Sequence, residues 1–287
     1  MNVKEFNVSK KQKLSAAISA NISNLSYNSI SKIIRNKDVK VNGCRVNKDV
    51  DVFENDTVVV YYNDDLKMKI EVLFEDENII VVFKPRKIET VSENDNDLTK
   101  TVSSQLNQKV FAVHRLDRNT EGLVVFAKNI SAKNDLDFAF KNRTIDKFYL
   151  ARVFGILSSK SDEMVAYLKK FSDKSLVEIS DLPKVGFEKI QTNYNLLKTV
   201  DDTSIVEVEL ITGKTHQIRA HFAHIGHFVI GDEKYGNSEI NKKFKRKFQD
   251  LVAYKIIFHF KDTDYLSYLN GKVIELDKSK IDFCQNL

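Results

Sequence analysis

The sequence predicts a two-domain α+β protein, and three observations carry that reading. Residues 1–48 hold ten lysines and arginines against two acids, Glu5 and Asp38, in a chain whose whole net charge is +5. Apolar residues recur at helical spacing at Leu14, Ala17 and Ile18, at Ile30, Ile33 and Ile34, and at Ala132, Leu136, Ala139 and Phe140. Strict alternation marks residues 205–211, where Val206, Val208 and Leu210 share a face opposite Glu207 and Glu209, as in a half-buried strand.

The chain of 287 residues, 42% hydrophobic, is long enough to bury a full core and more than one domain. Nine glycines and two prolines leave little room for low-complexity linkers. No apolar run reaches bilayer length, and the opening M-N-V-K-E-F-N-V-S-K lacks a signal-peptide core. Cys44 and Cys284 have no ligand spacing and no disulfide framework, so a reducing cytoplasm is expected.

Residues 1–62 form the first predicted domain. Two short helices carry the first two apolar stripes, with S-N-L-S-Y-N-S offering N-caps for the second. Lys32 and Arg35 fall on that helix's polar face, and Lys37 and Lys40 follow it. In V-K-V-N-G-C-R-V, Asn42-Gly43 is a strong two-residue hairpin signal, and residues 58–62 read as a closing strand. A basic module on a near-neutral body suits a polyanion, and a solvated lysine-rich surface is the plain alternative.

A polar linker is placed at 63–69 and the second domain at 70–287. Residues 70–74 and 79–83 are strands around an acidic turn, ended by Lys84-Pro85. Residues 86–109 read as a loop with a short helix around 99–106. Residues 113–128, V-H-R-L-D-R-N-T-E-G-L-V-V-F-A-K, read as a strand edge that places Asp117 between Arg115 and Arg118. A helix is predicted over 131–141 with Ser131 as its cap, and then a strand bearing Tyr149. The alternating strand runs into T-G-K-T-H-Q-I-R-A-H-F-A-H-I-G-H. There Ile218, Phe222 and Ile225 form a buried helical stripe, leaving His216, Arg219 and Ala223 on another face.

His216, His221, His224 and His227 lack an H-E-x-x-H or a paired cysteine, so hydrogen-bonding roles are expected rather than metal ligation. No G-x-G-x-x-G or P-loop pattern supports a nucleotide cofactor. The basic run K-K-F-K-R-K at 242–247 suits either phosphate contact or an exposed charged loop.

Two resemblances sharpen these readings. L-S-Y-N-S-I-S-K-I-I-R-N-K-D-V-K-V-N-G resembles the S4 RNA-binding domain, which implies RNA contacts through Lys32, Arg35, Lys37, Lys40 and Arg45. H-R-L-D-R-N-T-E-G-L, K-F-Y-L-A, T-G-K-T-H-Q-I-R-A-H and G-H-F-V-I-G-D-E-K-Y-G occur in order and resemble the motifs of bacterial ribosomal large-subunit pseudouridine synthases. I-I-V-V-F-K-P before them, with L-V-A-Y-K-I-I-F and L-S-Y-L-N-G-K after them, extend the similarity over nearly the whole chain.

That resemblance implies a mixed, mostly antiparallel sheet with flanking helices, and isomerisation of uridine to pseudouridine in structured RNA. Ribosomal RNA is the favoured partner, with transfer RNA open, and a cytoplasmic monomer is expected. The reaction consumes neither electrons nor water overall, so no cofactor and no metal are expected. By the same resemblance Asp117 is the nucleophile or promotes glycosidic cleavage, and Arg219 is the counter-ion that keeps it charged. Tyr149 lies against the flipped base as a candidate proton acceptor. Arg115, with His114 beside it, contacts RNA where the base leaves its stack. The alternatives are a non-catalytic RNA-binding or ribosome-assembly factor, and a hydrolase using the same carboxylate. Glu121, Phe228 in place of the proline of G-H-P, and R-K-I-E-T in place of P-x-G depart from the family pattern.

Overall fold

The computed structural model describes residues 2–22, 25, 27–62, 69–93, 97–171 and 176–285. The chain divides into two compact units, with a boundary between Lys69 and Ile70. Residues 63–68 of the predicted linker lie outside the described residues, as do positions 23, 24 and 26 of the predicted capping segment.

The first unit runs β1 (Asn2–Asn7), β2 (Gln12–Lys13), α1 (Leu14–Asn21), α2 (Tyr27–Arg35), β3 (Val39–Val41), β4 (Cys44–Arg45), β5 (Asp51–Val52) and β6 (Thr57–Tyr62). The helical stripes Leu14, Ala17, Ile18 and Ile30, Ile33, Ile34 are buried against Val39, Val58 and Val60 of the sheet. Asn42 and Gly43 both have positive φ, +49° and +81°, the condition for the tight turn that joins β3 to β4. β1 is an addition to the sequence reading. It pairs antiparallel with β6 over its whole length as the edge of the sheet, and an exposed edge strand leaves little apolar signal.

The second unit continues with β7 (Val72–Glu75), β8 (Ile79–Lys84), α3 (Leu98–Leu106), β9 (Phe111–Ala112), β10 (Glu121–Ala127), α4 (Ile130–Asn142), β11 (Ile145–Phe154), β12 (Ser161–Phe171), β13 (Leu176–Ser180), β14 (Glu188–Val200), β15 (Thr203–Leu210), α5 (Gln217–His224), α6 (Ser238–Lys243), β16 (Leu251–Phe258) and β17 (Val273–Glu275). Its strand order is β13-β12-β14-β15-β11-β16-β10-β8-β7, with β9 also on β10 and β17 on β16. Among the described residues every pairing in this sheet is antiparallel except β10 with β16.

The sheet is covered on both faces, which explains the unbroken apolar runs I-I-V-V and L-V-V-F-A. Ile80, Val82, Val124 and Phe126 pack toward α3 and α5. Ile79, Val81, Leu123 and Val125 pack the other way, toward α4. Gly122, at φ +121°, sits where β10 meets β16. A Cβ there would lie 2.1 Å from the Ala253 carbonyl oxygen, so only glycine permits this approach.

Three local expectations change. α4 is capped by Asn129, whose side chain accepts from the Ala132 N–H at 2.9 Å, and Ser131 lies inside the helix. β10 begins at Glu121, so Asp117 sits in the loop ahead of the strand. Ile225 is 38% exposed at the end of α5, while Arg219 is buried.

Candidate active site

Arg219 leaves α5 toward the interior because a buried carboxylate receives it. Asp232 accepts from Arg219 Nε at 2.6 Å and from Nη2 at 2.8 Å, a two-pronged pairing matched to the guanidinium fork. Asp232 is itself fixed by the backbone N–H groups of Lys234 and Tyr235, at 2.8 Å and 3.1 Å. Burial opposes both charges. For Asp232 the Arg219 hydrogen bonds and charge prevail and hold the carboxyl below its ordinary range. For Arg219 the two aspartates prevail and raise it further. The remaining Nη1 donates to Asp117 Oδ2 at 2.9 Å. Asp117 Oδ1 has no hydrogen-bond partner among the described residues.

Local hydrogen bonds set the turn that carries Asp117. Thr120 N–H donates to the Asp117 carbonyl at 3.0 Å, and Thr120 Oγ1 accepts from Gln249 at 2.8 Å. Beneath the turn lies Lys84, wholly buried, whose ammonium donates to the carbonyls of Pro85, Ile88 and Arg118 at 3.1, 2.8 and 3.1 Å. Burial pulls Lys84 down to about 8, against the opposing charges of Asp117, Glu121 and Glu89. Two of the departures from the family pattern meet beside this turn. Glu121 pairs with Arg86 at 3.1 Å, and Lys87, in the glycine place of P-x-G, has φ +70°. Arg118 donates to the Lys87 carbonyl at 3.3 Å.

A second chain of hydrogen bonds approaches Asp117 from the start of α5. The Tyr235 hydroxyl accepts from the Val177 N–H at 3.0 Å and is hydrogen-bonded to His216 Nδ1 at 2.9 Å. The other ring nitrogen, His216 Nε2, lies 3.8 Å from Asp117 Oδ2. Burial, with the charges of Arg219 and Lys234, holds His216 below its ordinary range despite the pull of Asp117, so the ring is neutral at pH 7.

These groups line a cavity of about 390 Å³, within the usual range for small-molecule sites. Tyr149, on β11, is buried to 7% and faces this cavity. Burial and the charge of Asp117 raise its phenol far above the ordinary range. Tyr149 therefore meets the cavity as a protonated phenol. Arg115 is exposed at the cavity edge. His114 is turned into the sheet: its Nε2 accepts from the Val125 N–H at 2.9 Å and its ring stacks on Phe140. Burial and the charge of Lys147 push it down to about 3, so the ring is neutral where it lines the cavity.

A family model described as RNA pseudouridylate synthase matches residues 78–224, which include Asp117, Tyr149 and Arg219. The chain is 34% identical over 232 residues to a Mycoplasma genitalium protein named as an uncharacterized RNA pseudouridine synthase, covering 75% of this chain and 72% of that one. The chain belongs to the RNA pseudouridylate synthase family. It is also 30% identical to the ribosomal large subunit pseudouridine synthase C of Rickettsia bellii, over 80% of this chain and 85% of that one. Its fold is shared with human RNA pseudouridylate synthase domain containing 1, at TM-score 0.62 and 21% identity over 78% of this chain and 90% of that one. This synthase is therefore an isomerase acting on RNA.

The synthase brings Asp117, Tyr149 and Arg219 around one cavity, with Arg115 on its edge. In the first unit, Lys40 and Arg45 approach the Tyr61 ring at 5.7 and 6.0 Å, and Arg45 donates to the Lys37 carbonyl at 3.2 Å. Lys32 and Arg35 stand exposed on the last turns of α2. The basic run at 242–247 is partly absorbed by the fold: Lys243 pairs with Asp202, and Arg246 with Asp250 and Asp282. His221 bonds Thr192, His224 bonds Asp181 and His227 bonds the Phe154 carbonyl. Asp232, Tyr235, His216 and Lys84 were not singled out as site residues by the sequence. Asp232 and Tyr235 stood within a quoted motif, and a lysine inside an apolar strand end was the visible sign of Lys84.

Proposed function

We propose that this synthase isomerises specific uridines of large-subunit ribosomal RNA, with Asp117 as its nucleophile. The reading rests on the Asp117 carboxylate: Oδ2 is held at 2.9 Å by an arginine already anchored on a second, buried aspartate, while Oδ1 is uncommitted beside the cavity. Such a carboxylate stays oriented as the base enters and water leaves. The bond from uridine carbon 1′ to nitrogen 1 breaks, the uracil turns, and carbon 5 bonds to carbon 1′. Carbon 5 loses its proton, and nitrogen 1 gains one. Tyr149 contributes a ring wall and a protonated hydroxyl against the base, and His216 brings Nε2 close to Asp117. Arg115 takes up the space left in the RNA stack.

The ribosomal preference is supported by the names of the relatives, including the synthase C of Rickettsia bellii. The first unit acts as an S4-like RNA-binding domain, with Lys40 and Arg45 beside Tyr61, and with Lys37, Lys32 and Arg35 also meeting phosphates. The enzyme works in the cytoplasm; among the described residues no helix is long and apolar enough to cross a membrane.

Tritium release from RNA carrying carbon-5-tritiated uridine tests this reading. Wild type is expected to release tritium from unmodified large-subunit ribosomal RNA transcripts, and Asp117→Asn is not. No release by wild type from ribosomal or transfer RNA would defeat the catalytic reading. Release from transfer RNA alone would move the substrate, and free uracil would mark a hydrolase.

A further inference from the structure

Among the described residues, the cavity is lined by one carboxylate, Asp117, and by six cations. Arg219 and Lys214 have acidic partners, Asp117 with Asp232 and Glu188 respectively. The side chains of Arg115, Lys141, Arg143 and Lys147 have no ion pair or hydrogen bond to any described residue. Three of these are exposed, where an unpaired charge is unremarkable. Lys147 is different because it is half-buried, on the same strand as Tyr149 and two residues before it.

The surroundings of Lys147 make its lack of a partner costly. Its ammonium lies 3.7 Å from where a Cβ on Gly213 would be, in the loop leading to His216 and Arg219. Burial and the charge of Arg143 depress its proton affinity, and Asp146 offsets this only in part. Asp146 is itself bonded to His259 at 2.7 Å. Arg143, which adds to the crowding, occupies the C-terminal cap of α4 at φ +61°. A glycine or asparagine is the usual residue there, so a long cation is held in a strained backbone conformation at the cavity mouth. Two cations that repel each other, one of them half-buried, thus line the same cavity beside a neutral His114, an arrangement that an anion would relieve.

We propose that Lys147 and Arg143 form a clamp for a backbone phosphate next to the target uridine, so that the base enters the cavity only as part of a polynucleotide. The proposal rests on the assignment of the cavity to the flipped uridine and names the phosphate as the second anchor of that nucleotide. Asp117, Tyr149 and Arg219 act on the base and sugar. The clamp acts on the chain that carries them, so its loss falls on RNA binding rather than on the chemical step.

The test compares wild type with Lys147→Met and Lys147→Arg on unmodified large-subunit ribosomal RNA transcript. Binding is followed by filter retention across a salt series, and turnover by tritium release. Lys147→Met is expected to weaken binding roughly tenfold and to lower the slope of log affinity against log salt by about 0.7–0.9, one phosphate's worth. KM should rise while kcat changes far less, and Lys147→Arg should restore both slope and KM. The thermal midpoint of Lys147→Met should equal or exceed that of wild type, because an unpaired half-buried charge has been removed. Wild-type slope and affinity in Lys147→Met would overturn the clamp. A lowered thermal midpoint would overturn it as well, by making Lys147 part of the fold. Absence of tritium release by wild type would instead strike the functional reading, which these binding slopes do not depend on.

Discussion

On one side of the cavity every positive charge is answered. Arg219 reaches two aspartates, Lys214 reaches Glu188, and His216 is held below its ordinary range by burial and by the charges of Arg219 and Lys234. On the other side the side chains of Arg115, Lys141, Arg143 and Lys147 line the cavity with no ion pair or hydrogen bond among the described residues. The first side is finished before RNA arrives and holds Asp117 in one orientation. The second is where the proposed phosphate clamp would engage RNA. An active site thus separates preorganised chemistry from substrate recruitment across a single cavity.

The largest break in the finished side is Asp117→Asn, which keeps the shape but removes the carboxylate proposed as nucleophile. Single-turnover tritium release should fall by roughly 10⁴-fold, with RNA affinity near wild type. Asp232→Asn comes next. It leaves Arg219 half-answered in a buried place and should destabilise the protein by about 3–5 kcal/mol in urea unfolding. The Asp232 carboxyl is held below its unfolded value, so the stability it lends is present above about pH 4 and is lost as pH falls through the folded value. Asp232→Asn should therefore show a weaker acid limb.

Lys84 gives an alkaline counterpart. Its folded value of about 8 lies under the ordinary 10.5, so between those limits the unfolded chain binds the extra proton. Stability contributed by this group should rise with pH across that window by up to about 1.4 kcal/mol per pH unit. Lys84→Met should lack that rise when urea unfolding is repeated from pH 8 to pH 10. The smallest effect belongs to Glu121→Gln. The Arg86–Glu121 pair is about one-quarter exposed, so stability should change by less than about 1 kcal/mol. A fall in kcat with unchanged KM would show that the pair helps to set the Asp117 turn.

Local rules carry far in this chain. Alternation at Val206, Val208 and Leu210 reads directly as β15, and Asn42-Gly43 as a hairpin, because strand pleat and turn conformation are written in adjacent residues. The same rules say less about Arg219. Helical periodicity only separates this arginine from the apolar stripe, and Asp232, which lies off the helix and 13 residues along the chain, draws it inside. The cap of α4 shows a smaller version of the effect, since Asn129 and Ser131 are both good caps and tertiary packing chose the former. The β12–β14 extension left no pattern as clean as that of β15. Many of its side chains face solvent, including Val165 at 46% exposure.

The insertion of β16 between β10 and β11 has a consequence for how the molecule comes into being. The strand next to the Asp117 turn, paired through Gly122 and Ala253, belongs to a part of the chain made long after the turn itself. During synthesis β10 and β11 wait with open edges until the chain has emerged past Phe258, and contacts so distant in sequence close slowly. A nascent chain that ends before Leu251 has already made Asp117, Tyr149 and Arg219, but not the strand that joins their supports. Catalytic competence is then a late event in biogenesis, reached only after the central strand has threaded into place.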